Sequence, residues 1–203
     1  MIMTLSDIAN AFRGAGIVPL QKTFKELSKS NADPANPVYC VNAGGYCEKL
    51  IGIDFDDVTS RYYRQIPHTV ASPDALYIWQ DEIFLIEFKT GGAPAEDLYR
   101  KFYDGSILLV ESGALSFDEC RTHVTGVLVW SDADHTGNHD MPYDLPGTSR
   151  PAGSPRYEYA VPKDLSLMKP SSDFRILSSY LLDKVYVLTP NDFDAFAAVR
   201  GWK

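Results

Sequence analysis

Pro73-Asp74-Ala75-Leu76-Tyr77-Ile78-Trp79-Gln80-Asp81-Glu82-Ile83-Phe84-Leu85-Ile86-Glu87-Phe88-Lys89 is the stretch whose reading decides the fold. Residues 75–79 are apolar, residues 80–82 are polar, and residues 83–88 return as an apolar run broken by Glu87. Two strands joined by a tight turn are expected. With Asp81 and Glu82 as the loop residues, Gln80 lies opposite Ile83 and the pairing runs on until Asp74 lies opposite Lys89. Opposed side chains share a face. One face then carries Ala75, Tyr77 and Trp79 against Phe88, Ile86 and Phe84, while the other carries Asp74, Leu76 and Ile78 against Lys89, Glu87 and Leu85. A slip of one residue would send Glu87 and Lys89 away from Asp74 and spoil the apolar face, whereas a four-residue turn preserves the facing.

The residue types gathered at one end of this hairpin suit one another chemically. Asp74 and Glu87 offer carboxylate oxygens to a hard cation such as Mg2+ or Mn2+, and the backbone carbonyl of Phe88 supplies a further oxygen. A cation held there polarises a phosphoryl oxygen and helps to deprotonate an attacking water. Lys89, on the face of Glu87, would orient that water or stabilise developing negative charge. The plainer alternative is a solvated Asp74–Lys89 salt bridge, worth about 0–1 kcal/mol.

Pro73-Asp74 followed by Glu87-x-Lys89 resembles the PD-(D/E)XK nuclease superfamily, over residues 40–130. The resemblance implies an α/β fold with a restriction-endonuclease-like αβββαβ core, a mixed central sheet flanked by helices. It also implies a metal site that a glutamate of the first helix often completes. Glu48, in Tyr46-Cys47-Glu48-Lys49-Leu50, is the candidate for that role, with Asp54, Asp56 and Asp57 as competitors. Gly44-Gly45 shortens or breaks the helix that would carry Glu48. A first strand is expected within residues 61–70, a helix over 96–109 and the last core strand over 123–130. Arg100 and Lys101 stand on that helix where family branches place a polar or basic residue, and are carried over as substrate-binding candidates.

Outward from this core, Thr4-x-x-Asp7 before Ile8 and Phe12 reads as a helix start, and residues 21–30 as a second helix. Lys22, Lys25 and Lys29 then share one helical face, a candidate phosphate-tracking surface or a solvated stripe. Residues 1–39 are thus expected to form a helical cap. Residues 131–203 are expected as an extension, beginning with a long loop that contains His135 and His139. Strands over 156–161 and 184–188 and helices over 174–182 and 192–199 follow it.

A chain of 203 residues, 45% hydrophobic and 23% charged, is most simply one elaborated domain. Its apolar runs are too short to cross a bilayer, and an intracellular, cytoplasmic location is the expectation. Three cysteines, Cys40, Cys47 and Cys120, have no metal-binding spacing and read as buried thiols. The net charge of −8 works against nucleic-acid affinity, yet residues 1–66 balance seven bases against seven acids. Three functions are compatible with these features. They are a metal-dependent nuclease acting on DNA rather than RNA, a catalytically silent binding or inhibitor protein on the same fold with an acidic surface, and an RNA-directed toxin domain.

Overall fold

The computed structural model describes residues 5–29, 37–64, 70–90, 95–131, 177 and 180–203. Among these residues six strands form one mixed sheet whose spatial order follows the chain. They are β1 (Gln21–Thr23), β2 (Ile51–Asp54), β3 (Ala75–Trp79), β4 (Glu82–Thr90), β5 (Val124–Ser131) and β6 (Lys184–Leu188). The first four run antiparallel to one another, and β4, β5 and β6 run parallel. The helices are α1 (Leu5–Gly14), α2 (Phe24–Leu27), α3 (Phe55–Tyr62), α4 (Ala95–Glu111), α5 (Phe117–His123) and α6 (Pro190–Arg200). No helix among the described residues is long and apolar enough to cross a membrane.

Strand alternation divides the buried side chains into two cores, one on each face of the sheet. On the first face Ile53, Leu76, Ile83, Leu85 and Leu128 meet Ile8 and Phe12 of α1, Phe55 and Val58 of α3, and Leu98 and Phe102 of α4. On the second, Tyr77, Phe84, Ile86, Phe88 and Val129 meet Phe24 of α2, Phe193 and Phe196 of α6, and Trp202. The facing expected of the hairpin holds. Its register differs by two residues, because Ala75 pairs with Ile86 and Trp79 with Glu82, leaving Gln80 and Asp81 as the turn. A shift of two leaves each side chain on the same face. Gln80 takes φ 57 in the left-handed region, which a non-glycine residue adopts at a steric cost.

Several local expectations are corrected. Residues 61–62 end α3 instead of starting a strand, and the strand beside β3 is β2, with α3 inserted between them. The helix expected over residues 21–30 is a strand followed by a single four-residue turn of helix, α2. Thr23 and Glu26 form a capping box at that junction, which starts α2 too late for Lys22 to share a helical face with Lys25. Residues 1–39, read as a helical cap, therefore also supply an edge strand.

Helix α4 and strands β5 and β6 form close to their expected limits, and α6 begins at Pro190 with a Thr189–Asp192 capping box. The histidine-containing loop and the strand at 156–161 lie outside the described residues, as does most of the helix at 174–182.

Candidate active site

The β3–β4 pairing ends at Ala75 while β4 continues to Thr90, so among the described residues the far end of β4 has no strand partner on that flank. Asp74 supplies a substitute. Its Oδ2 accepts the Phe88 N–H at 2.6 Å, extending the ladder by one side-chain hydrogen bond. Continuing the β3–β4 register puts Asp74 level with Glu87. The two carboxylates face the first core, where α4 covers the sheet.

Glu87 is fully buried, paired with Leu128 of β5 on one flank and level with Asp74 on the other. Two lysines hold its charge. Lys101 Nζ lies 2.8 Å from both Oε1 and Oε2, and Lys89 Nζ lies 2.9 Å from Oε1. Lys101 Nζ also lies 3.8 Å from Asp74 Oδ1. Burial and the neighbouring Glu87 raise the Asp74 pKa well above its ordinary value, against the opposing pull of Lys101 and the Phe88 amide. Burial alone would lower the Lys101 pKa, but the attraction of Asp74 and Glu87 outweighs it and the pKa is raised.

Lys101 reaches Glu87 because α4 approaches the sheet closely. Gly105, one helical turn beyond Lys101, packs against Pro73, and a Cβ there would lie 2.8 Å from the Pro73 ring and 3.2 Å from Phe55. The same face buries Leu98, Phe102, Leu108 and Leu109. That periodicity was the signal in the sequence for the facing of Lys101. Its neighbour Arg100 points elsewhere, with Nε 3.8 Å from Asp104 on the same helix.

The helix glutamate expected to complete the site does not reach it. Gly44 and Gly45 leave only a 3-10 turn, Tyr46–Lys49, and this turn packs on the second core, across the sheet from Glu87. The Glu48 carboxylate instead binds Lys25 Nζ at 2.5 Å and the Gly44 amide at 2.7 Å, and these contacts lower its pKa. Asp56, in the first turn of α3, is the acid whose field reaches Asp74 and Lys101, and it accepts the Ser72 hydroxyl at 2.5 Å. Lys22 and Lys25, the other substrate-binding candidates, pair with Asp54 and Glu48. Lys29 pairs with no acid among the described residues. It lines a cleft of about 210 Å³ with Leu27, Ser28, Asp74, Phe88, Lys89 and Thr90.

Among the described residues no three His, Cys, Asp or Glu side chains gather as a metal-binding group. Asp74, Glu87 and the Phe88 carbonyl suit a cation that keeps open positions. The N–H and C=O of a strand residue point to the same flank, so the Phe88 carbonyl shares the flank of Asp74. Mg2+ is commonly held by one or two carboxylates, with water and phosphate completing its shell. Comparison with protein-family models, curated proteins and solved structures found no match for this chain.

Proposed function

We propose that this protein is a Mg2+- or Mn2+-dependent nuclease of the PD-(D/E)XK kind, hydrolysing phosphodiester bonds in nucleic acid, with DNA as the favoured substrate. The observation that carries this reading is the convergence of Asp74, Glu87 and Lys89 at one end of the β3–β4 hairpin, beside an open cleft. The element order supports it. Strands β2, β3 and β4 form an antiparallel meander, α4 follows, and β5 returns parallel to β4, as in the expected core apart from the α3 insertion.

Asp74, Glu87 and the Phe88 carbonyl would hold the cation. When bound, it supplies charge at the phosphoryl oxygen and acidifies a water. Lys89, 29% exposed, is positioned to meet the phosphate or steady the attacking water. Lys29 adds a second positive group along the cleft, where it would contact a backbone phosphate. Asp56 takes the auxiliary acidic role in place of Glu48.

Cleavage of supercoiled plasmid, single-stranded DNA and total RNA with Mg2+ or Mn2+ tests this reading, with chelator and Lys89→Ala as controls. Metal-dependent cutting lost in Lys89→Ala supports it and identifies the polymer. Absence of cutting together with absence of metal binding turns the assignment to a catalytically silent binding protein. One observation favours that second reading: the charges of Asp74 and Glu87 are already balanced by Lys89 and Lys101.

A further inference from the structure

We propose that Lys101 is a built-in counter-ion that occupies the cation position of the site and must leave Glu87 before a divalent metal can bind. The inference rests on the nuclease reading of Asp74 and Glu87. Lys101 Nζ sits in the fork of Glu87, 2.8 Å from each oxygen, and is the ammonium that also approaches Asp74. A divalent cation held by Asp74 and Glu87 would compete with this ammonium for the same carboxylate oxygens. With Lys89 also on Oε1, both Glu87 oxygens are already engaged by ammonium groups, and a metal would have to displace one of them to use the fork.

The structure also determines which partner yields. Glu87 is fully buried on β4, paired there with Leu128 of β5 and level with Asp74 just beyond the end of β3, so its side chain has no exposed surface through which to withdraw. The backbone of α4 packs closely on Pro73 at Gly105, and Leu98, Phe102, Leu108 and Leu109 of the same helix are buried, so release of Lys101 by its side chain alone disturbs less packing than movement of the helix. The Lys101 side chain is 20% exposed and hangs on a flexible four-carbon stem, so its tip can pivot towards solvent. A site populated mainly in the Lys101-occupied form binds metal with an affinity reduced by the small fraction that is open. The displaced ammonium would remain at the mouth of the site, where the phosphate arrives.

Titration of the full chain with Mn2+ alone, by calorimetry and by melting temperature, tests this in wild type, Lys101→Met and Lys101→Arg. The Met variant removes the competing charge at similar length, and Lys89 still faces Glu87. We expect Mn2+ to bind Lys101→Met roughly tenfold tighter than wild type and to raise its melting temperature more. Lys101→Arg, which keeps the charge, should bind no tighter than wild type. Equal or weaker binding in Lys101→Met overturns the proposal, as does tightening in Lys101→Arg. If wild type still cuts nucleic acid in either case, only the proposal falls. Failure of every variant to bind Mn2+ removes the proposal and the metal-dependent reading together. Should Lys101→Met be unfolded without metal, refolding on Mn2+ addition supports the proposal, and failure to refold overturns it.

Discussion

The Asp74 carboxylate accepts the Phe88 amide at 2.6 Å, which fastens an acid preceding one strand to the backbone between Glu87 and Lys89 on the next. The bond does the work of a missing strand residue and leaves the other Asp74 oxygen turned towards Lys101. It also keeps two carboxylates together where burial and the neighbouring Glu87 disfavour the charge of Asp74.

That crowding predicts a gain in stability when the charge is removed. Burial and Glu87 raise the Asp74 pKa in the folded protein, so the folded state binds this proton more tightly than the unfolded state does. The resulting stability is present below the ordinary value of 3.8 and is lost as pH rises through the raised folded value. Asp74→Asn keeps an acceptor for the Phe88 amide without the charge. In chelator it should melt above wild type at pH 7.5, and the difference should vanish as pH falls towards 3.8. A lower melting temperature for Asp74→Asn at pH 7.5 would show that the Lys101 contact outweighs the burial cost.

Lys89→Ala separates chemistry from folding. Glu87 keeps its two contacts to Lys101 in this variant, so the melting temperature should change little. Cleavage should fall by about 10²–10³-fold, the range for removing one preorganised charge-stabilising group. Initial rates at saturating Mg2+ measure the loss, and a rate near wild type would remove Lys89 from the catalytic set.

Glu48 and Asp56 should exchange the roles that sequence assigns them. Glu48→Ala breaks a surface pair with Lys25 across the sheet from Glu87, and cleavage should stay within about twofold of wild type. Asp56→Asn, on the side of Asp74, should lower cleavage or weaken metal binding measurably. The opposite ranking would return Glu48 to the site.

Gly105→Ala places a methyl group where Pro73 and Phe55 already stand. Alanine favours an isolated helix by about 1 kcal/mol over glycine, so propensity predicts stabilisation. Overpacking of about 1–3 kcal/mol should win, and the variant should melt below wild type with reduced cleavage, because α4 carries Lys101. Thermal melts and initial rates together check this, and a higher melting temperature would show that the contact relaxes freely.

All three cysteines are free and buried. Burial pushes the thiols of Cys40 and Cys120 up to about 12 and raises that of Cys47 as well. Iodoacetamide at pH 8 should therefore leave the native protein unmodified and label three positions after denaturation, as read by intact mass. Rapid labelling of the native protein would contradict the burial.

The sequence by itself determined which side chains of the hairpin share a face, because strand periodicity is two and the alternation of apolar residues admits one parity. Asp74, Glu87 and Lys89 were legible together for that reason, even though the turn fell at Gln80-Asp81 and shifted the register by two. Length and periodicity likewise gave α4, β5 and β6 near their limits. Tertiary structure decided what crosses from one face to the other. Glu48 lies across the sheet because a glycine pair left only a short turn packed on the second core. Lys22 and Lys25 are taken up by Asp54 and Glu48, contacts between segments that no local pattern relates. Lys101 meets Glu87 because Gly105 lets α4 settle on Pro73, and such a close approach is set by packing between distant parts of the chain.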